Sequence, residues 1–153
     1  MNTFLRGPAA LALLLAAIAP AWADGHGSRV PLLPAYVQEC GSCHVAYAPG
    51  LLPAPSWQHL MSQLKLHYGS DASLDAASTQ QLGVWLSANA ATGKRADAPR
   101  DDRITQAAWF TREHRDVRAD FGSARVKTAS DCAACHTRAA EGSYREREIR
   151  VPR

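Results

Sequence analysis

The sequence lacks a hydrophobic run long enough to cross a membrane, and it has little unbalanced charge. The uncharged stretch at residues 8–23 is 16 residues long, short of the roughly 18 or more that a membrane span requires. With 17 Lys and Arg against 14 Asp and Glu, the net charge of +3 is too small for a dedicated nucleic-acid binder. At 153 residues the chain is also too short for a multi-domain enzyme, so we expect one compact domain or two small lobes.

Residues 1–23 have the pattern of an export signal peptide. Arg6 supplies a positive charge ahead of the uncharged stretch, and Ala21-Trp22-Ala23 is a small-x-small cleavage site before Asp24. We therefore expect the signal peptide to be removed and residues 24–153 to reach the periplasm, with no part integral to the membrane.

Cysteine is scarce, and all four cysteines fall in two copies of one pattern. The chain reads CGSCH at residues 40–44 and CAACH at residues 132–136, and Cys-x-x-Cys-His is the attachment motif of a c-type haem. Two thiols one helical turn apart can each form a thioether with a porphyrin vinyl group, and the adjacent His is then directed at the iron. We therefore predict two covalent haems c, with thioether links at Cys40, Cys43, Cys132 and Cys135. The predicted proximal iron ligands are His44 and His136.

Four cysteines in an exported chain could instead form two disulfides, a thioredoxin-like redox site or one zinc site. Disulfides give no reason for a His after both pairs. A thioredoxin-like motif is expected once, beside a βαβ pattern, and no such pattern is visible. The two pairs lie about 90 residues apart, well beyond the roughly 15–20 residues of a usual zinc site. Haem attachment explains the pattern best.

Helical patterns dominate the chain after the signal, and strand signals are nearly absent. The predicted helices are residues 34–39, Ser56 to Gly69, Ser73 to Asn89, Ile104 to Arg115 and a short one capped by Ser130. The first runs into the CGSCH motif, and we expect Tyr36 to fill core space there. The predicted fold class is all-α: small cytochrome c-like helices wrapped around two covalent haems, with little or no sheet.

A charged segment with Gly93 and Pro99, residues 92–102, interrupts the helical patterns. It is the predicted linker between an N-terminal haem lobe at residues 24–91, which holds haem 1, and a C-terminal haem lobe at residues 103–153, which holds haem 2.

The ligand opposite the proximal His decides what each haem can do. Beyond the signal peptide, the candidates are Met61, His26, His59, His67 and His114. On the predicted helix after Ser56, Met61 lies on the apolar stripe and His67 at its edge, while His59 faces solvent.

His114 aligns with Ala107 and Phe110 despite its charged neighbours. We therefore predict His67 as the distal ligand of haem 1 and His114 as that of haem 2. Met61 remains an alternative ligand, and a crossed assignment of the two histidines also stays open.

The sequence resembles the small dihaem cytochrome c family over most of residues 24–153. The matching stretches are YVQECGSCHVAYAPGLLPAPSWQHLM, LHYGSDASLDA, WFTREHR and DCAACHTRAAEGSYREREIRVPR. The resemblance implies an exported electron carrier with two histidines on each iron, and a monohaem, oxygen-binding cytochrome c as the electron acceptor. It also supports His67 and His114 as ligands, because both lie inside matching stretches.

The leading functional hypothesis is a periplasmic electron-transfer protein rather than an enzyme. Its expected partners are redox proteins, among them an oxygen-binding cytochrome c and a membrane electron donor, and not nucleic acid. One alternative is an enzyme or gas-binding protein with one open haem, which a shortage of distal ligands would favour. A further alternative is a small electron-transfer subunit of a larger reductase.

Overall fold

The structure is a computed structural model that describes residues 30–153; the predicted signal at residues 1–23 and His26 lie outside this range. Within it, the chain forms four α-helices: α1 (Pro34–Cys40), α2 (Ala54–Ser62), α3 (Ala76–Ala88) and α4 (Ala108–Glu113). The 3-10 turns are Pro49–Leu51, Leu64–Leu66, Gly93–Arg95, Arg100–Asp102, Ile104–Gln106, Arg115–Asp120, Cys132–Ala134, Ala139–Glu141 and Glu146–Glu148. Only isolated β-bridges occur among these residues, so the predicted all-α class is confirmed.

The first core packs α2 against α3 and α1. Its buried members are Tyr36, Ala46, Leu52, Trp57, Leu82 and Leu86. Pro34 begins α1, where its fixed φ suits the first helical turn and its missing N–H costs nothing. Tyr36 on that helix is fully buried and donates its hydroxyl hydrogen to the Tyr47 carbonyl at 2.8 Å. This core holds the end of α1, and with it the CGSCH motif, in place.

Helix α2 is shorter and begins earlier than the sequence predicted. It starts at Ala54 after Pro53, and Ser56 lies buried inside the helix instead of capping it. The prolines explain the early start, because their fixed φ values favour the first turn of a helix. The helix ends at Ser62, and Gln63 leaves helical geometry with φ −123°, so the predicted end at Gly69 is wrong.

Helix α3 begins at Ala76 rather than at Ser73. Asp75 is its N-cap, and its carboxylate accepts hydrogen bonds from the Ser78 N–H at 3.0 Å and the Ser78 hydroxyl at 2.6 Å. A carboxylate at this position satisfies an N–H group that has no partner within the helix, so the cap at Asp75 determines where the helix starts.

The second core joins residues from both halves of the chain. Leu51 packs there with Ala107, Trp109 and Phe110. The segment at residues 92–102 also packs on the C-terminal half, since the Arg95 guanidinium lies 4.5 Å above the Trp109 ring centroid.

The predicted helix from Ile104 to Arg115 is divided in the structure. Ala107 is extended, with φ −67° and ψ 138°, and it separates the turn Ile104–Gln106 from α4. The CAACH motif forms a 3-10 turn at Cys132–Ala134 rather than an α-helix. Across residues 30–153, no helix is both long and apolar enough to span a bilayer.

Candidate haem sites

The CGSCH motif lies where α1 ends, and it places His44 opposite His67. Cys40 is the last residue of α1, so Cys43 and His44 follow in the irregular segment after the helix. His67 comes directly after the 3-10 turn Leu64–Leu66. The two imidazole centroids are 6.2 Å apart, and the ring planes are inclined by 27°.

This separation suits a metal ion held between the two rings. Two imidazoles that bind one metal ion from opposite sides have centroids about 6 Å apart, because each metal–nitrogen bond is about 2 Å and each nitrogen lies about 1 Å from its ring centroid. The His44 Nδ1–H donates to the Val45 carbonyl at 2.8 Å, which leaves Nε2 as the nitrogen available to a metal. The residues present therefore fit an iron between His44 and His67.

A second pair has the same spacing in the C-terminal half. The centroids of His114 and His136 are 6.0 Å apart, with ring planes inclined by 67°. His114 follows α4 and donates its Nδ1–H to the Phe110 carbonyl at 3.0 Å. Its ring also stacks on Phe110, with centroids 4.0 Å apart and planes 19° apart. This pair also fits an iron, with Nε2 of His114 free to bind it.

The other two described candidates for a distal ligand lie elsewhere. Met61 is partly buried against the first core and lies beside Gly83 of α3. The His59 side chain is 57% exposed, and it bonds through Nδ1 to Asp102 at 2.5 Å and through Nε2 to Gln63 at 2.6 Å. The expectation that His59 faces solvent agrees with this exposure.

Burial favours neutral imidazoles at both candidate sites. It lowers the pKa of His67, and the nearby His44 and Arg103 lower it further. Burial also lowers the pKa of His136, with a smaller contribution from His114. A neutral imidazole is the form that binds a metal ion, so the surroundings of these side chains suit ligands of iron.

The four cysteines do not pair with one another as disulfides. Burial raises the pKa of Cys40 to about 11 and that of Cys132 to about 11. A thioredoxin-like site needs a lowered thiol pKa, so these surroundings do not suit thiol–disulfide exchange. Within residues 30–153, no three or more His, Cys, Asp or Glu side chains converge as a metal site does, which also disfavours a shared zinc.

The two motifs adjoin each other across one tyrosine. The Tyr47 ring stacks on His44, with centroids 4.8 Å apart and planes 19° apart, and its hydroxyl donates to the Ser130 carbonyl at 3.0 Å. A cavity of about 240 Å³ beside it is lined from both motifs, by Cys43 and His44 on one side and Cys132 on the other. The sequence analysis did not identify Tyr47 as a residue of the haem sites. Its position three residues after His44 is the feature that could have indicated it.

Comparisons with known proteins identify the family of this chain. Residues 36–144 match the protein family described as dihaem cytochrome c. The chain is similar to a dihaem cytochrome c from Shewanella baltica OS155 that was solved by X-ray crystallography. The sequence identity is 33% and the TM-score 0.69, and the alignment covers 80% of this chain and 95% of the other. No curated protein sequence matches the chain.

Two structures of dihaem cytochrome c from Rhodobacter sphaeroides are also similar. One is 42% identical with a TM-score of 0.62, and the alignment covers 75% of this chain and 99% of the other. The second is 39% identical with a TM-score of 0.68, and the alignment covers 76% of this chain and 100% of the other.

A helical fold with two Cys-x-x-Cys-His motifs, each facing a further histidine, defines a c-type cytochrome with two haem sites. The chain belongs to the dihaem cytochrome c family, and its prosthetic groups are two covalent c-type haems. Membership in this family implies electron transfer.

Proposed function

We propose that this protein is a periplasmic electron carrier in which two histidines bind each iron. Haem 1 takes thioethers from Cys40 and Cys43 and axial ligands from His44 and His67. Haem 2 takes thioethers from Cys132 and Cys135 and axial ligands from His136 and His114. The observation that carries the proposal is the pair of facing imidazoles at each motif, 6.2 and 6.0 Å apart.

One-electron exchange at iron is the chemistry that each haem supplies when bound. With His44 and His67 holding one iron and His136 and His114 the other, the residues of the chain would occupy the ligand positions that a substrate would need. Carbonyl groups of Val45 and Phe110 accept the Nδ1–H of His44 and His114, which fixes ring orientation and makes each imidazole a stronger donor. Bis-His ligation also gives lower potentials than His/Met ligation.

The short path between the two motifs supports electron transfer within the molecule. Tyr47 contacts His44 and reaches the backbone of Ser130, two residues before Cys132. An electron accepted at one haem therefore has the other haem nearby, which suits a carrier that receives from one protein and gives to another.

The export signal and the family resemblance support the proposed location and partners. In this proposal, electrons come from a membrane donor and leave to a monohaem, oxygen-binding cytochrome c in the periplasm. Cell fractionation of a strain that expresses the full chain should recover the haem-stained protein in the periplasmic fraction.

Carbon monoxide titration of the purified, dithionite-reduced protein tests the closed ligation. We expect a c-type visible band that does not change at low gas concentration, because a histidine holds each distal position. A band that shifts for either haem at low gas concentration would mean an open iron, and the carrier proposal would give way to a gas-binding protein or an enzyme. Absence of a c-type band would remove the haem assignment itself.

A further inference from the structure

Strained backbone is concentrated beside the distal histidine of haem 1. Among residues 30–153, the non-glycine residues with positive φ are Tyr68 at 49°, Asp101 at 57° and Asp102 at 51°. The Tyr68 hydroxyl donates to the Asp101 carbonyl at 2.9 Å, so residues 33 positions apart in the sequence meet at one place. Left-handed backbone is costly for residues with a Cβ and persists where surrounding contacts hold it, often at functional sites.

Contacts on every side hold this strained cluster together. The Arg103 guanidinium lies 4.1 Å above the Tyr68 ring centroid. His59 of α2 bonds to the Asp102 carboxylate, which is only 13% exposed. The segment 101–103 is therefore fixed both to α2 and to Tyr68, while the Tyr68 ring itself stays 44% exposed. Because Tyr68 is so exposed, it contributes little to the core. Its contacts with Asp101 and Arg103 therefore indicate a role other than core packing.

The two distal histidines are held in different ways. His114 is fixed by the Phe110 carbonyl and ring, within its own helical segment. The buried Nδ1 of His67 has no hydrogen-bond partner among the described residues. The His67 ring instead meets the Tyr68 ring, with centroids 4.9 Å apart and planes inclined by 59°. The direction of His67 therefore depends on the residue that follows it.

We infer that Tyr68 is a positioning residue for His67, and that its hydrogen bond to Asp101 keeps the His67 ring directed at His44. The inference rests on the proposed bis-His ligation of haem 1. It makes the distal ligand of haem 1 dependent on a contact between distant parts of the chain, whereas the distal ligand of haem 2 is held by Phe110, four residues before it in the sequence. Loosening this contact should allow an external ligand to displace His67 while haem 2 stays closed.

The test is a carbon monoxide titration of the reduced holoprotein in four forms: wild type, Tyr68→Phe, Tyr36→Phe and His67→Ala. Tyr68→Phe removes only the hydroxyl and keeps the ring under Arg103. We expect the apparent dissociation constant of one haem for carbon monoxide to fall about five- to tenfold, the factor that one hydrogen bond supplies. Tyr36→Phe is the matched control, because it also removes a tyrosine bond to a backbone carbonyl, that of Tyr47 at 2.8 Å, but within the first core. It should bind the gas as the wild type does.

His67→Ala separates a failure of the inference from a failure of the proposed ligation. In this variant one of the two haems should bind carbon monoxide readily, and the reduction potential of that haem alone should change. A His67→Ala protein as closed as the wild type would overturn His67 as a ligand, and the inference with it. If His67→Ala binds carbon monoxide readily but Tyr68→Phe titrates like the wild type, the positioning role of Tyr68 is overturned and the ligand role of His67 is not. An equal gain in affinity in Tyr36→Phe and Tyr68→Phe would also overturn it, because it would indicate general loosening of the fold.

Discussion

The imidazole rings of His114 and His136 face each other with their planes inclined by 67°. The planes of the other facing pair, His44 and His67, are inclined by only 27°. Phe110 accounts for part of the difference, because its ring and carbonyl together fix the plane of the His114 ring. The two candidate haem sites therefore each bring two histidines together and differ in the inclination of the imidazole planes.

This difference predicts two distinct electron paramagnetic resonance signals from the ferric protein. Two iron d orbitals of similar energy can interact with the imidazole rings. Rings with nearly parallel planes interact with the same orbital and so separate the two energies, whereas rings with strongly inclined planes interact with both orbitals and leave the two energies close. We expect a rhombic low-spin signal from haem 1 and a more axial, large-g signal from haem 2, in equal amounts, in a frozen solution of the oxidised protein.

The Phe110→Leu variant assigns the signals to the two sites. It removes the ring that stacks on His114 and keeps the backbone carbonyl, so only the axial signal should change. Two indistinguishable signals in the wild type, or a change confined to the rhombic signal in Phe110→Leu, would contradict the assignment.

One leucine and one valine on α3 test which face of that helix packs in the core. Leu82 is fully buried at 0% exposure, whereas Val84 is 66% exposed. We expect Leu82→Ala to lower the free energy of unfolding by about 2–5 kcal/mol, since it leaves a cavity among packed side chains. Val84→Ala should change it by less than about 0.5 kcal/mol. Urea denaturation of the holoprotein measures both, and equal losses would mean that α3 packs on a different face.

The haem-attachment residues could be predicted from sequence because their chemistry is local. Two thiols and a histidine within five consecutive positions need no tertiary contact to be recognised. The argument for His67 was different, because it assumed a helix from Ser56 to Gly69. That helix ends at Ser62, and the turn Leu64–Leu66 redirects the chain before His67 meets His44. The position of His67 beside His44 therefore comes from this turn and not from helical phase.

The contacts that support the sites could not be predicted in this way. The bonds from Tyr68 to Asp101 and from Tyr47 to Ser130 join residues 33 and 83 positions apart. No periodicity or motif encodes such pairs, since they arise only when the two halves of the chain pack around a shared core at Leu51 and Phe110.

Two glycines with positive φ test how the C-terminal turns pack on the N-terminal segment. A Cβ on Gly142, at φ 72°, would lie 3.2 Å from the Leu32 Cγ, whereas a Cβ on Gly122, at φ 89°, would meet nothing within 4 Å. We expect Gly122→Ala to cost about 1 kcal/mol of unfolding free energy from backbone strain alone. Gly142→Ala should cost more than Gly122→Ala, because the Leu32 side chain must also shift by a few tenths of an ångström. Thermal unfolding compares the two, and a smaller loss in Gly142→Ala would mean that Leu32 does not pack there.

The N-cap of α3 predicts a dependence of stability on acid. The two hydrogen bonds from Ser78 to the Asp75 carboxylate lower the pKa of Asp75 below its ordinary value. Because the folded pKa is the lower one, this carboxylate stabilises the protein at pH values above the unfolded pKa of about 3.9 and loses that effect as the pH falls through the folded pKa.

Asp75→Asn keeps an oxygen that accepts the Ser78 N–H but removes the titration. Melting temperatures of the wild type and Asp75→Asn should therefore differ most near neutral pH, in favour of the wild type. The difference should begin to shrink below about pH 4 and vanish as the pH falls through the lowered pKa of the folded carboxyl. The measurement is a thermal melt of each holoprotein in steps from pH 7 to pH 2.5 at constant ionic strength. A gap that stays constant across that range would mean that the charge of Asp75 contributes nothing to the cap.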